Sequence, residues 1–248
     1  MRVALAVVAL FAGLALVGCG DGDEDAVTTE TTTTRPVESA RIRIYFVRDA
    51  QVWPVAREVG DVLFDEIAVD QLLAGPNEDE TEIGLETALP DGLDADVSVE
   101  DGVATVELGS ADELTREALA QIVYTETALP LVESVSIDGE SYTRADFEEQ
   151  TPSVLVESPL SFEEVSSPLR ATGTANTFEA NFHYELLDTD GNVVDENFVT
   201  ATSGTGTRGT FDFTTGPFED VATLVVFESS AEDGSRMREV EIPLTTAP

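Results

Sequence analysis

The fold of the first globular region is decided by residues 94–139, which read DADVSVEDGVATVELGS (94–110), ADELTREALAQIVYTETALP (111–130) and LVESVSIDG (131–139). The first segment alternates around Asp101 and Gly102, and Asp-Gly between alternating strands predicts a β-hairpin. Ser110 and Glu113 have the spacing of a capping box, and apolar residues follow at helical spacing. The second segment therefore predicts an amphipathic helix that packs one face on the sheet. The third segment predicts a returning strand that closes a small α/β core.

Upstream of this unit, residues 41–47 and 51–59 alternate and are rich in residues that favour strands. Pro54 makes the second of these strands an edge strand, because it cannot donate a ladder hydrogen bond. Asp61 has the position of a cap for a helix that runs to about Ala74, where Gly75 and Pro76 end it. These elements predict an α+β domain over residues 41–150, with a small mixed sheet and two helices.

After Pro152 the helical spacing disappears and short β-runs take its place. They lie at residues 154–157, 169–175, 178–187, 193–202, 209–214, 222–228 and 238–244. Several short strands with turn signals and no helix predict an all-β sandwich over residues 151–248. In the third run, alternation places Phe178, Phe182 and Tyr184 on the inner face and His183 on the polar face.

The N-terminal residues predict an export signal. Met1-Arg2 is followed by an apolar run over residues 3–17, which is shorter than the roughly 20 residues of a membrane span. The tetrad LVGC (16–19) resembles the lipobox of bacterial lipoproteins, which implies cleavage after residue 18 and a diacylglyceryl group on Cys19. Anchoring by more than one acyl chain, such as palmitate, is stable. The alternatives are an ordinary secretory signal, with Cys19 incidental, and an uncleaved anchor.

Residues 19–40 predict a disordered tether that starts at the lipidated Cys19. An acidic cluster and a threonine run replace apolar periodicity there, so the segment buries too little surface to offset its ordering entropy. No other cysteine follows Cys19. The globular regions must therefore be stable without disulfides.

The formal net charge is -38, and the basic residues are all arginine. A surface this acidic repels phosphate, so we expect no nucleic-acid partner. Adaptation of an exported surface to high salt explains the charge most simply. A binding site for a cation or a basic partner is the sharper alternative, but the acidic residues are spread along the whole chain.

The sequence contains no catalytic constellation, and we expect neither enzyme activity nor a cofactor. His183 is the one histidine, and nucleophile-base catalysis or a histidine-based zinc site needs more. Asp188 and Asp190 open a calcium-loop pattern whose third ligand and distant glutamate are absent. They are weak metal candidates, and a plain β-turn is favoured. The glycine-rich residues 203–209 have no following helix, which indicates a hairpin loop and not a phosphate cradle.

Trp53 is the best single candidate for an exposed contact residue, because it lies beside Pro54 on an edge strand. The competing interpretation is a core tryptophan that covers the sheet, since most tryptophan surface is buried in folded proteins.

Both globular regions resemble known bacterial domains. Residues 41–141 resemble the GerMN domain of sporulation and spore-germination lipoproteins through YF (45–46), WPVAR (53–57), LLAGP (72–76), GL (84–85), ALPDG (88–92), DGVATV (101–106) and ALAQIVYT (118–125). Residues 153–246 resemble the immunoglobulin-like domain that follows GerMN in such lipoproteins, through ESP (157–159), SPL (167–169), TGTA (172–175), FEAN (178–181), DG (190–191), GTF (209–211) and DGS (233–235).

The resemblance implies an extracytoplasmic lipoprotein, held by the lipid on Cys19 at the outer face of the cytoplasmic membrane, that binds envelope proteins or the cell wall. We expect a non-enzymatic role in envelope protein assembly or in a germination-like process, with self-association through the sheet and helix as one form of it. The alternative is a module that binds peptidoglycan or another polysaccharide.

Overall fold

The computed structural model describes residues 40–60, 64–109 and 114–247 of the protein. These residues belong to one compact unit. The predicted signal peptide, Cys19 and residues 19–39 of the predicted tether lie outside the described residues. The predicted caps Asp61, Ser110 and Glu113 lie outside them too.

The first domain is a mixture of strands and helices, as predicted. In chain order its elements are β1 (Ala40–Arg48), β2 (Gln51–Val59), α1 (Phe64–Leu73), α2 (Glu78–Glu82), β3 (Ala95–Glu100), β4 (Val103–Leu108), α3 (Arg116–Glu126), β5 (Ser134–Ile137), β6 (Glu140–Tyr142) and a 3-10 segment (Arg144–Gln150). Strands β1 and β2 form a two-stranded sheet, and β3-β4-β5-β6 form a four-stranded sheet.

The predicted hairpin is confirmed. Strands β3 and β4 pair antiparallel around Asp101 and Gly102, whose φ angles of 50° and 82° are those of a tight hairpin turn. Helix α3 then carries the chain to β5, which pairs parallel to β4. The four-stranded sheet is therefore mixed, as the sequence predicts.

Helix α3 begins later than predicted and is buried on more than one face. Its N-cap is Thr115, whose hydroxyl accepts from the Ala118 amide. Residues 120–126 are all buried, because β1 packs on one side of the helix and the 3-10 segment on another. Phe147 of that segment is fully buried. The prediction of a helix with one buried face is therefore wrong, and this part of α3 has no free surface for self-association.

Two polar side chains of α3 satisfy the backbone of β1. The Tyr45 amide donates to Thr125 Oγ1 at 3.0 Å, and Gln121 Nε2 donates to the Tyr45 carbonyl at 3.2 Å. Gln121 Oε1 also accepts from the Ala88 amide at 2.6 Å. Both side chains are 0% exposed. Because a buried backbone group without a partner is costly, these bonds fix α3 against β1.

The acidic residues before β3 form a helix that the sequence did not predict. Asn77 Oδ1 accepts from the Glu80 amide at 2.9 Å, and Glu80 Oε2 accepts from the Asn77 amide at 2.8 Å. Arg57 Nη2 also donates to Glu80 Oε2 at 2.7 Å. Glu80 is only 3% exposed, so this capping box is closed by a buried ion pair and starts α2.

The second domain is the predicted all-β sandwich. Its strands are β7 (Val154–Ser158), β8 (Glu163–Val165), β9 (Arg170–Ala175), β10 (Asn181–Leu187), β11 (Val193–Thr200), β12 (Gly209–Thr214), β13 (Thr223–Ser229) and β14 (Arg236–Thr246). One sheet has the order β11-β10-β13-β14-β8 and the other the order β12-β9-β7. The sequence predicted all of these strands except β8, which is short and pairs parallel to β14.

Aromatic rings from both sheets form the core of the sandwich. The Phe182 ring on β10 lies 4.9 Å from that of Phe211 on β12, and the Tyr184 and Phe213 rings stack at 4.5 Å. Phe178 does not join them. It lies in a short 3-10 turn before β10 and is 64% exposed, so its predicted inward position is wrong.

Gly173 on β9 lies where the neighbouring strands β7 and β12 of the same sheet leave no room for a side chain. A Cβ atom there would meet the Leu155 carbonyl oxygen at 2.0 Å and Phe211 Cζ at 2.8 Å. We expect Gly173→Ala to lower the free energy of unfolding by about 2 to 3 kcal/mol, because overpacking displaces backbone and ring. Urea denaturation measures the loss. Gly109→Ala is the matched control, because a Cβ atom there meets nothing closer than 3.4 Å, and an equal loss in both variants would contradict the prediction.

Candidate functional site at the junction of the two domains

The Glu157 carboxylate is the centre of one set of contacts that joins the two domains. Glu157, at the end of β7, accepts a hydrogen bond from the Tyr45 hydroxyl on β1. Arg144 Nη1, from the 3-10 segment, donates to Glu157 Oε1 at 2.8 Å, and Arg43 Nη1 on β1 donates to the same oxygen at 3.3 Å. The Glu157 side chain is 13% exposed. One acid of the second domain is thus held by three side chains of the first.

The surroundings fix the charge states of this cluster. Burial opposes the charge on Glu157, but Arg144, the Tyr45 hydroxyl and Arg43 outweigh it and hold the pKa of the carboxyl below its usual range. Burial and the Glu157 charge raise the pKa of the Tyr45 phenol. Near neutral pH the acid stays ionised and the phenol stays protonated. The cluster is therefore suited to hold two domains together and not to transfer protons.

A second ion pair closes the junction at another point. Arg208 lies just before β12, and its Nε donates to Oε2 of Glu148 in the 3-10 segment at 3.0 Å. Its Nη2 donates to the Pro152 carbonyl at 2.9 Å. Asn176 Nδ2 adds a bond to Glu148 Oε1 at 3.0 Å. Burial opposes the Glu148 charge, but Arg208 and Asn176 lower the pKa of this carboxyl.

Trp53 is buried in the junction and is not an exposed contact residue. It is 5% exposed, its Nε1 donates to Ser161 Oγ of the second domain at 3.2 Å, and the Arg48 guanidinium lies 3.5 Å from the ring centre. The expectation of an exposed Trp53 is wrong. The alternative of a buried tryptophan holds, with the second domain supplying much of the cover.

The junction also contains an apolar cavity and a polar groove. The cavity beside Trp53 has a volume of about 10 Å³, far below that of a small-molecule site. The groove measures about 570 Å³ and opens above Arg43 and Glu157. Its other lining residues are Thr172, Gly173, Thr174, Thr200, Thr202, Thr210, Phe211 and Asp212. Threonine hydroxyls both donate and accept hydrogen bonds, so the groove suits an uncharged, hydroxyl-rich ligand.

The two weak calcium candidates lie in the turn between β10 and β11. Asp188 Oδ1 accepts from the backbone amides of Asp190 at 2.9 Å and Asn192 at 2.8 Å. The Asp188 carboxylate therefore closes its own turn, and the amide donors lower its pKa. Within residues 40–60, 64–109 and 114–247, no group of three or more His, Cys, Asp or Glu side chains is placed to hold a metal ion.

Two other motifs have structural roles. His183 lies on the outer face of β10, where its ring stacks on Phe227 at 5.5 Å. The glycine-rich residues 203–209 connect β11 to β12, and no helix follows them. These two strands belong to different sheets, so the predicted hairpin is wrong. A Cβ atom on Gly204 would lie 2.5 Å from the Ala180 amide nitrogen, and one on Gly209 would lie 2.2 Å from the Ser203 amide nitrogen. These glycines permit close backbone packing.

The residues that join the domains were not predicted from the sequence. Arg41, Arg43 and Tyr45 alternate along β1 and so share one face of the strand, which was a usable signal that this face meets a polar surface. Glu157, the partner of Arg43 and Tyr45, and Glu163, the partner of Arg41, are two of 50 acidic residues. Nothing in the sequence separates them from the others.

Family models match both domains. Residues 43–143 match the model described as sporulation and spore germination, and residues 153–235 match the immunoglobulin-like domain of bacterial spore germination. The chain joins a GerMN domain to a spore-germination immunoglobulin-like domain. The resemblance inferred from the sequence is thus confirmed, and both domain types are those of sporulation and spore germination.

One solved structure resembles part of this chain. It is described as the tandem GerMN domains of the sporulation protein GerM from Bacillus subtilis, with 21% identity, a TM-score of 0.33 and coverage of 44% of this chain. The match spans 42% of that chain, which is less than half its length. Comparison with the curated proteins gave no match. In the part of the chain that the structure describes, no helix has the length and apolar character of a membrane span.

Replacing Glu157 by glutamine tests the junction. Glu157→Gln keeps the shape but removes the charge that two guanidiniums face, so we expect the free energy of unfolding to fall by about 3 kcal/mol at pH 7. The folded-state pKa of Glu157 lies below the ordinary value of 4.5. Its stabilising contribution is therefore complete above that value and is lost as the pH falls through the folded-state pKa.

The difference in the free energy of unfolding between wild type and Glu157→Gln should therefore be largest near neutral pH and should disappear at acidic pH. Urea denaturation from pH 7 to about pH 3, followed by Trp53 fluorescence, measures it. Glu164→Gln removes one carboxylate charge from an exposed position of β8. Its free energy of unfolding should be almost the same as that of the wild type at every pH. If Glu157→Gln differs from the wild type by the same free energy of unfolding at every pH, ionised Glu157 does not stabilise the junction in the way described.

Proposed function

We propose that the protein is a non-enzymatic lipoprotein of the cell envelope that assembles with other envelope proteins. Its GerMN domain and immunoglobulin-like domain act as one rigid block. Lipid on Cys19 holds that block at the outer face of the cytoplasmic membrane. The matched domain types support a role in sporulation or a germination-like process.

The observation that supports the proposal is the buried clamp at Glu157. Domains within a chain move relative to one another unless their interface is extensive and well packed. Here Tyr45, Arg43 and Arg144 converge on one carboxylate, and the buried Trp53 donates to Ser161 of the second domain. A fixed angle between two domains benefits a protein that must present two surfaces to partners at once. A loose linker would serve a simple tether equally well.

The chemistry of the junction supports a binding role over catalysis. A general acid or base works best with a pKa near the operating pH. The pKa of Glu157 is shifted down and that of Tyr45 is shifted up, so both shifts move away from neutrality. The environment of these groups thus stabilises an ion pair.

The lipid anchor is tested by replacing Cys19. We expect the wild type to sediment with membranes and to incorporate a labelled fatty acid, whereas Cys19→Ser loses the label and appears in the soluble extracytoplasmic fraction, because stable anchoring needs the acyl chains. Fractionation and fluorography measure both effects. A Cys19→Ser protein that stays on the membrane would support an uncleaved anchor. Ser39→Ala, in the predicted tether, is the control and should remain lipidated.

Binding of peptidoglycan or another polysaccharide is the second candidate function. It is favoured by the threonine-lined groove of about 570 Å³ above Arg43 and Glu157. The Thr202 and Thr210 hydroxyl oxygens lie 3.2 Å apart, which gives neighbouring donors and acceptors for sugar hydroxyls. Thr174→Val and Thr210→Val remove two of these hydroxyls and nearly preserve shape.

One experiment separates the two candidates. Full-length protein is cross-linked in cells and recovered in detergent, and the same protein is mixed with cell wall stripped of protein. Assembly predicts defined protein partners, recovered several-fold less with Glu157→Gln because the angle between the domains is no longer fixed, and unchanged with Glu164→Gln. Retention on bare wall that is lost in Thr174→Val and Thr210→Val would support glycan binding instead. Absence of any specific protein partner would contradict assembly.

A further inference from the structure

Strand β11 leaves one edge of the immunoglobulin-like domain without a neighbouring strand. It is the end strand of the sheet β11-β10-β13-β14-β8, and within the described residues no strand pairs with its far side. The Phe198 amide donates to Oδ1 of the preceding Asn197 at 2.9 Å and not to β10. Since backbone groups alternate along a regular antiparallel strand, Glu196 and Phe198 direct their amides toward this free edge, which we call the β11 edge. Val194 lies at the register shift in the pairing with β10.

The β11 edge is unusually apolar for an exposed sheet edge. Phe198 is 65% exposed, Val193 46% and Val194 40%. Natural edge strands are commonly protected by lysine, proline or bulges that discourage further pairing. The sequence VVDENFVT of β11 contains neither lysine nor proline. Its register shift lies at the start of the strand, between the pairs Leu186–Asp195 and Leu187–Val193, and the pairing from Asp195 to Thr200 is regular. The exposed surface of β11 therefore has both requirements for strand addition, namely free backbone groups and apolar side chains that a partner can cover.

Phe198 lies at the open end of a row of rings on the outer face of the sheet. In the strand register it pairs with His183 on β10, and His183 pairs with Phe227 on β13. The His183 and Phe227 rings stack with an angle of 15° between their planes, and the Arg236 guanidinium covers Phe227 at 4.5 Å. His183 and Arg236 cover the Phe227 ring, whereas the Phe198 ring is largely exposed. An added strand would continue this row.

The charges around the β11 edge select a basic partner. Glu196 is exposed in the middle of the strand, and Asp190 is exposed in the turn that leads into it. Asp195 is used within the domain, because it accepts from the Tyr184 hydroxyl at 2.7 Å and from the Gly216 amide at 2.8 Å. Arg236 and Arg238 are paired with Glu185 and Glu228, so these two neighbouring cations already serve carboxylates of their own chain.

A second copy of this chain is a poor occupant for the same reason. It would bring its own Glu196 to the edge, and each copy carries a formal net charge of -38. An extended segment with arginine or lysine between apolar residues would instead place cations opposite Glu196 and apolar side chains over Phe198 and Val194.

We propose that the β11 edge binds a basic, extended segment of a partner protein, which adds to the sheet as a sixth strand. The inference rests on the proposed assembly function and names its surface and the chemistry of the partner. The backbone hydrogen bonds of the added strand would supply affinity. Phe198, Val194 and Glu196 would supply selectivity.

The probe is a fluorescent peptide of the repeat Val-Thr-Arg-Thr, in which valine and arginine alternate along one face of the extended strand, with the repeat Val-Thr-Glu-Thr as its acidic counterpart. Binding to the full-length protein in nonionic detergent is followed by fluorescence anisotropy. We expect the basic peptide to bind and the acidic one not to bind. Phe198→Lys should weaken binding at least tenfold, because lysine blocks the edge and repels the peptide. Leu131→Lys makes the same change at a residue that is 89% exposed outside the second domain, and it should change binding less than twofold.

Hydrogen exchange locates the peptide. The amides of Glu196 and Phe198 should become protected when the peptide binds, and a peptide N-methylated along its pairing edge should lose that effect. Unchanged Trp53 emission shows that each variant is folded. Equal weakening by Phe198→Lys and Leu131→Lys, protection elsewhere than β11, or no binding at all would overturn the proposal.

The cellular cross-linking experiment separates this inference from the proposed function. If the wild type and Phe198→Lys recover the same protein partners, assembly stands and the β11 edge is not the docking surface. If neither recovers a partner, the proposed function fails and the inference fails with it. Loss of a partner in Phe198→Lys but not in Leu131→Lys, together with the exchange result, supports the inference.

Discussion

The ion pairs of the Glu157 carboxylate with Arg43 and Arg144 connect the second domain to strand β1 and to the 3-10 segment of the first domain. Through Arg43 and the Tyr45 hydroxyl, Glu157 fixes β1 against the second domain. The backbone of Tyr45 is in turn held by Gln121 and Thr125 of α3. A continuous set of polar contacts therefore runs from the most buried helix of the GerMN domain to the first strand of the sandwich. Removing the carboxylate leaves two guanidiniums facing each other in a site with little solvent, which is costly in any folded protein.

Arginine is scarce in this chain, and its placement determines where the excess acidity lies. Twelve basic residues stand against 50 acidic ones. Arg43, Arg144 and Arg208 hold the domain junction, and Arg57 neutralises buried Glu80. The cations are therefore concentrated at interior and junction carboxylates. The remaining acids lie mainly at exposed positions, so the outside of the protein carries a strong negative field that salt screens.

Features set by local chemistry could be predicted from the sequence. The turn at Asp101 and Gly102 and the alternation of β10 each depend on neighbouring residues, and the structure has both. Features set by tertiary contacts could not be predicted. Thr115 caps α3 although Ser110 has the better local pattern, and β8 is too short to show alternation. Trp53 is covered in part by the second domain, through Ser161. The junction cluster combines residues more than 100 positions apart, such as Tyr45 and Glu157, so no local pattern reveals it.

The place of β14 in its sheet constrains the order in which the sandwich can fold. This strand lies between β13 and β8, and its parallel pairing joins Leu244 to Glu163 across most of the domain sequence. The sheet cannot close until residues 236–246 are available. Contacts of such large sequence separation form slowly, because a long loop must be ordered first. A chain that emerges gradually from a ribosome or a translocation channel would thus hold β10 and β13 exposed until its last strand arrives. During that interval the acidic charge of the chain opposes association with its own copies.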